Sequence, residues 1–117
     1  MRCEIVSIDG VKYVFVTGGQ VSEEQDALEI LSACYEHETT LVMLPSECLS
    51  EGFLDLSTKI AGLFLQKLTN YGIKTAAVID TERLSERFRD FSYESAKGKV
   101  FRIFNSIAEA EDWLITD

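Results

Sequence analysis

The sequence predicts a single-domain α/β protein over residues 1–117, an open mixed sheet with elements in the order ββαβαβαβα. Three observations carry that prediction. An Asp-Gly pair separates two β-branched runs at the start of the chain. Beyond it, segments with helical spacing of apolar residues alternate with short, wholly apolar runs. Capping residues and a terminal Gly mark helix ends where that alternation needs them. A hairpin followed by strand–helix units implies a sheet antiparallel at one edge and otherwise parallel, with right-handed crossovers.

The elements follow in order. Cys3 to Ile8 and Val11 to Thr17 are the paired strands, and Asp9-Gly10 is the turn, where both residues must accept positive φ. Thr17-Gly18-Gly19 reads as a loop, since its glycines do not form a G-x-G-x-x-G fingerprint. Ser22-Glu23-Glu24-Gln25 reads as a capping box with Ser22 at the N-cap. Behind it Ala27, Leu28, Leu31, Cys34 and Tyr35 form one apolar stripe of a helix that runs to about His37. Thr40 to Leu44, stopped by Pro45, is expected as a strand buried on both faces. A polar loop, Ser46 to Gly52, then leads into the stretch Phe53 to Ile73.

That stretch is the longest helical signal. Leu56, Ile60, Leu63, Phe64, Leu68 and Tyr71 fall on one face of a 3.6-residue period. Asp55 or Ser57 is placed to accept the first free N–H groups of a single helix. Gly72 supplies the left-handed stop, with Ile73 packing back on Leu68. Ile73 to Ile79 is the next buried strand, ending at Asp80-Thr81. The helix after it places Leu84, Phe88 and Phe91 on one side and Arg83, Glu86, Arg87, Asp90 and Glu94 elsewhere, and ends before Gly98. Val100 to Phe104 is the last strand. Ser106 with Glu109 forms a second capping box, opening a helix that buries Ile107, Trp113 and Leu114.

Composition bounds the function. The apolar runs are short and broken by charge, which argues against a transmembrane helix, and the start, MRCEIVSIDG, lacks the apolar core of a secretory signal. A cytoplasmic protein is expected. Cys3, Cys34 and Cys48 are odd in number and contain no C-x-x-C, so neither a disulfide framework nor a zinc site is expected, and no cofactor or metal is implied. Cys48, in the polar loop, is the thiol most open to reaction, although no cation adjoins it in sequence. The net charge of −9 resides wholly in one segment: residues 13–58 hold nine acids and no Lys or Arg. The remainder balances, 11 acids against 11 bases, with six bases against three acids between Arg83 and Arg102. Such a layout argues against nucleic acid or an anionic membrane as the partner of the acidic half.

The element order resembles the STAS fold of anti-sigma-factor antagonists and related SpoIIAA-like proteins. In that family a phosphorylatable Ser follows an Asp in a D-S-S/T-G stretch at the start of the helix after the third strand. The resemblance brings Ser57 or Thr58, after Asp55, to that place, with Leu56 intervening and Lys59 where the stretch has Gly. At the level of motifs, Asp55-Leu56, Thr58, Ala61-Gly62, Leu65-Gln66-Lys67 and Asn70-Tyr71, then Arg89-Asp90-Phe91, Glu94-Ser95 and Gly98, are similar to an uncharacterised bacterial family known only as a domain of unknown function. Against that family's usual pattern, Lys59 replaces a Gly and Leu63 a Glu. The resemblance implies fold and lineage and brings no activity with it.

Open α/β sheets bind ligands beyond the carboxyl ends of their strands. Those ends are Pro45-Ser46-Glu47, Asp80-Thr81 and Asn105-Ser106, joined by Asp55, Ser57 and Thr58. Glu47, Asp55 and Asp80 converging there would hold a metal or transfer a proton. Alternatively Asp55 and Asp80 cap the helices that follow them and Glu47 is solvated. Lys67 lies amid the apolar stripe beside Tyr71. It is either a functional buried amine or, as isolated buried charge is costly, a stem that packs while its ammonium reaches a carboxylate. Thr58, Gly62, Leu65 and Thr69 share the other side of the helix, and an exposed Leu65 there would favour a partner or self-association surface. The loop Ser46 to Gly52 folding over it is the alternative.

Two functions remain. The chain reads first as a non-enzymatic regulatory or protein-interaction module that contacts a protein partner, or a second copy, near the central helix. The competing reading is a small enzyme or small-ligand-binding protein that uses the strand-end carboxylates with Lys67 or Tyr71.

Overall fold

Asp9 and Gly10 both adopt left-handed backbone, φ 51° and 83°, and turn β1 (Arg2–Ile8) antiparallel onto β2 (Val11–Gly18). The computed structural model describes residues 1–80, 82, 84–97 and 100–116, with the backbone alone for residues 92–97. β3 (Leu41–Leu44), β4 (Lys74–Val78) and β5 (Phe101–Phe104) add to β2 in turn, each parallel to the last. The result is one five-stranded mixed sheet in the order β1-β2-β3-β4-β5.

Strand order follows chain order, so every crossover steps in the same direction, and steps of equal hand put their helices on one face. Helices α1 (Asp26–Glu36), α3 (Ile60–Asn70) and α4 (Glu86–Lys97) accordingly share a core with Val14, Val16, Val42, Leu44 and Ala77. The alternate residues Tyr13, Met43 and Ala76 face the other way and pack on α5 (Ile107–Ile115), which has no following strand to return to. The α/β class and the order of the main elements are as the sequence predicts.

The central stretch is not a single helix. It comprises a short helix α2 (Glu51–Leu54), a 3-10 turn (Leu56–Thr58) and then α3, with Lys59 between them at φ 64°. Asp55 therefore caps the 3-10 turn, accepting from the Ser57 N–H at 3.0 Å, and neither it nor Ser57 caps α3. The break is held by Thr58, whose hydroxyl meets the Gly52 carbonyl at 2.6 Å and the Asp55 carbonyl at 2.8 Å. The far end follows expectation. Gly72 is left-handed and donates to Thr69, and Ile73 donates to Leu68, the two bonds of a Schellman stop.

Other expectations change in detail. The Ser22 capping box does not form: residues 23–25 make a turn, α1 begins at Asp26, and the Asp26 carboxylate reaches back to the Ser22 and Glu23 N–H groups. α1 buries Ala27, Ile30 and Cys34, leaving Leu28 and Tyr35 outside. α3 buries Ala61, Phe64, Leu65 and Leu68, leaving Leu63 and Tyr71 outside. The polar loop is partly core. Cys48 and Leu49 are buried because Val21 bridges to Leu49 and donates to the Cys48 carbonyl at 2.6 Å. Asp80 does not cap α4; it accepts from the Glu82 N–H, and Ser85 caps α4 through the Phe88 N–H. Ser106 caps α5 as expected, but that helix buries Ala110 and Leu114 while Ile107 is exposed and Trp113 half-buried. Thr81, Arg83, Gly98 and Lys99, and the side chains of Glu94, Ser95 and Lys97, lie outside the described residues.

Candidate functional site

At the carboxyl ends of the strands the predicted residues part company. A cleft of about 300 Å³ is lined by Glu51, Asp55, Ser57, Ser85 and Arg87, with Leu54 and Leu56 as its apolar wall. The Asp55 carboxylate accepts from the Ser57 hydroxyl at 2.7 Å as well as from its N–H. Those two bonds, helped by the positive charge of Arg87, hold the Asp55 carboxyl below its usual range. Glu47 belongs to a different cavity, about 240 Å³, beside Phe15, Pro45 and Cys48. Ser46 turns its hydroxyl toward Glu47 at 3.4 Å. Asp80 is exposed and engaged with the Glu82 N–H. Glu47, Asp55 and Asp80 thus do not make a cluster, and no three acid, His or Cys side chains among the described residues gather to hold a metal ion.

The face sketched by Thr58, Gly62, Leu65 and Thr69 loses its apolar centre. Leu65 is only 7% exposed and belongs to the main core. The segment just before α3 packs against that helix at a different place: α2 contacts α3, and Gly52 lies close to the Ile60 side chain. Thr58 is engaged with main-chain carbonyls, Gly62 has open space where a Cβ would point, and Thr69 is exposed. Lys67 is half-exposed and pairs with Glu24 at 4.0 Å. Its stem packs and its ammonium reaches a carboxylate, the structural alternative for this residue.

A larger opening lies elsewhere, between α1 and the C-terminal end of α3, where β3 and β4 begin. It is a groove of about 910 Å³. Leu31, Cys34 and Ile73 form its inner wall, and Ile73 and Cys34 are themselves almost fully buried. Around it stand Leu28, Tyr35 and Tyr71, which are 55%, 88% and 70% exposed. The charged residues lining it are Glu36 and Glu38. Of the predicted site residues only Tyr71 is here. Sequence reasoning assigned Leu28 and Tyr35 to the core, yet a signal was present. Of the eleven residues of α1, seven are apolar (Ala27, Leu28, Ile30, Leu31, Ala33, Cys34 and Tyr35), a wider arc than one sheet-facing stripe needs.

Cys34, in the groove's inner wall, and Cys48, beside the Glu47 cavity, are buried. Burial pushes Cys48 up to about 12 and Cys34 up to about 11, and it also raises half-buried Cys3, the N-terminal ammonium opposing the shift and the charge of Glu29 adding to it.

Residues 9–114 match a family described as Domain of unknown function (DUF4180), and both the groove and the Asp55 cleft fall inside that span. A comparison with curated proteins found no match. The match extends over most of the chain, which belongs to the DUF4180 family.

Proposed function

We propose that this member of the DUF4180 family is a non-enzymatic interaction module, regulatory in role, that receives a protein partner at the α1–α3 groove. One observation carries the reading: Leu28, Tyr35 and Tyr71 stand largely exposed around a single groove with an aliphatic inner wall. Large apolar side chains gathered in one place, rather than scattered, characterise binding surfaces. Aromatic residues suit such a role because they bring contact area with little conformational entropy to lose. The STAS-like and SpoIIAA-like kinship belongs to the same proposal, supported by a hairpin followed by strands added in chain order with their helices on one face. So do a bacterial source and a cytoplasmic location, the latter supported by three free cysteines.

A second reading has one observation in its favour. The Asp55 cleft brings two carboxylates, two Ser hydroxyls and the Arg87 guanidinium around one cavity, a set able to orient a small polar ligand. It is a third the size of the groove and has a smaller apolar wall.

Photo-crosslinking in the producing cells separates the two. A benzophenone amino acid replacing Tyr71 is expected to give a discrete protein adduct that disappears when Leu28→Ser is added. The same probe replacing Ile107, exposed on the opposite face, is expected to give none. No adduct at position 71, together with a metabolite whose thermal shift is abolished by Asp55→Asn, would replace the first reading with the second.

A further inference from the structure

We infer that the occupant of the α1–α3 groove is a basic amphipathic helix, its apolar face between Tyr35 and Tyr71 and its Lys or Arg side chains turned to Glu36 and Glu38. The inference rests on the groove being a partner surface and adds the chemistry of the partner.

Charge is the first argument. Glu36 and Glu38 are the charged residues that line the groove, and the segment that builds its α1 wall, residues 13–58, has nine acids and no Lys or Arg. Lys67, the cation nearest along α3, is engaged with Glu24 at 4.0 Å. An incoming cation therefore meets the Glu36 and Glu38 carboxylates in the groove itself, and an incoming anion is repelled by them. Shape is the second argument. Leu28 and Tyr35 are seven residues apart on α1, two turns and roughly 10 Å along its axis. A helix laid in a groove presents its anchors at i, i+3 or i+4 and i+7, the same interval. The inner wall of Leu31, Cys34 and Ile73 offers those anchors aliphatic contact. A second copy of this chain fits less well. Each copy carries −9, and a symmetric contact through α1 would place acidic segment on acidic segment.

The test uses the full chain and a fluorescently labelled Leu/Lys peptide of about four helical turns, amphipathic by design. Its controls are a scrambled peptide of the same composition and a Leu/Glu peptide of the same pattern. Anisotropy titrations are expected to show the Leu/Lys peptide binding about tenfold or more tighter than either control. Leu28→Ser combined with Tyr71→Ser is expected to remove that preference, and both positions are exposed, so the variant keeps its melting temperature. Glu36→Gln with Glu38→Gln is expected to weaken binding several-fold and flatten its salt dependence.

Equal binding of the scrambled peptide would mean attraction to net charge alone and would overturn the inference. So would a Leu28/Tyr71 variant that binds undiminished, or a dimer in sedimentation that the same variant dissociates. An adduct at position 71 that still forms in a lysate irradiated with excess Leu/Lys peptide leaves the partner surface standing and removes the basic helix. No adduct at all removes both.

Discussion

The Lys74 ammonium lies 2.6 Å from the main-chain carbonyl of Trp113 and 4.4 Å from the centre of its indole ring. It also reaches the Thr116 carbonyl at 3.1 Å, so a residue of β4 closes the C-terminal end of α5. That helix has no basic residue in its own last turn. A cation at this end offsets the helix dipole and satisfies carbonyls without an intrahelical partner. Lys74→Met is expected to destabilise the fold by about 1–2 kcal/mol, the worth of charge-assisted bonds in a partly exposed setting. Urea unfolding followed by the single Trp reads this directly. An unchanged midpoint would show that α5 closes without Lys74.

Lys59 sits at φ 64°, ψ 4°, between the 3-10 turn and α3. A side chain in left-handed backbone costs roughly 1–2 kcal/mol, against which Gly loses more chain entropy on folding. Lys59→Gly is therefore expected to raise stability by about 0.5–1 kcal/mol, and Lys59→Val to lower it. Chemical denaturation of the two variants decides the matter, and a less stable Gly variant would count against the strain.

Lys67 and Glu24 form an exposed pair at 4.0 Å. Such pairs contribute little, since solvent screens the charges and two long side chains lose freedom. Lys67→Met is expected to shift unfolding by no more than about 0.5 kcal/mol. A loss of a kilocalorie or more would reveal a structural part for the amine that the geometry does not show.

Cys48 is 2% exposed and its thiol is pushed up to about 12 by burial, with the charge of Glu47 adding to the effect. Thiolate is the reactive form, so iodoacetamide at pH 8 is expected to modify Cys3 well before Cys48 or Cys34 in the folded protein. All three should react alike in urea. Mass spectrometry of peptides from a time course gives the order, and prompt modification of Cys48 would mean that the 46–54 segment opens easily.

Much of this fold was legible because it is written in neighbouring residues. Asp9-Gly10, Gly72-Ile73 and the Ser106 half of the second capping box behave as read, each depending on dihedral preferences or bonds across a few positions. The Ser22 box failed for a similarly local reason: Asp26 offered a competing acceptor to the Ser22 N–H, and took the Glu23 N–H with it. The candidate site was less legible. Glu47, Asp55 and Asp80 follow different strands, and where their side chains end depends on turns that each makes separately.

What the sequence determined by itself was the succession of strands and helices and most of their stops, since short-range sterics and hydrogen bonds decide those. Only the tertiary structure decided which side of each helix met the sheet. α1 and α3 both carry apolar arcs wider than the face a sheet can cover, so several rotations would bury a comparable amount. In the rotation the fold adopts, α3 buries Leu65 and leaves Leu63 and Tyr71 outside. The apolar surface left over, Leu28 and Tyr35 beside Tyr71, became the groove. Its existence is a remainder, set by how much apolar arc the core could take.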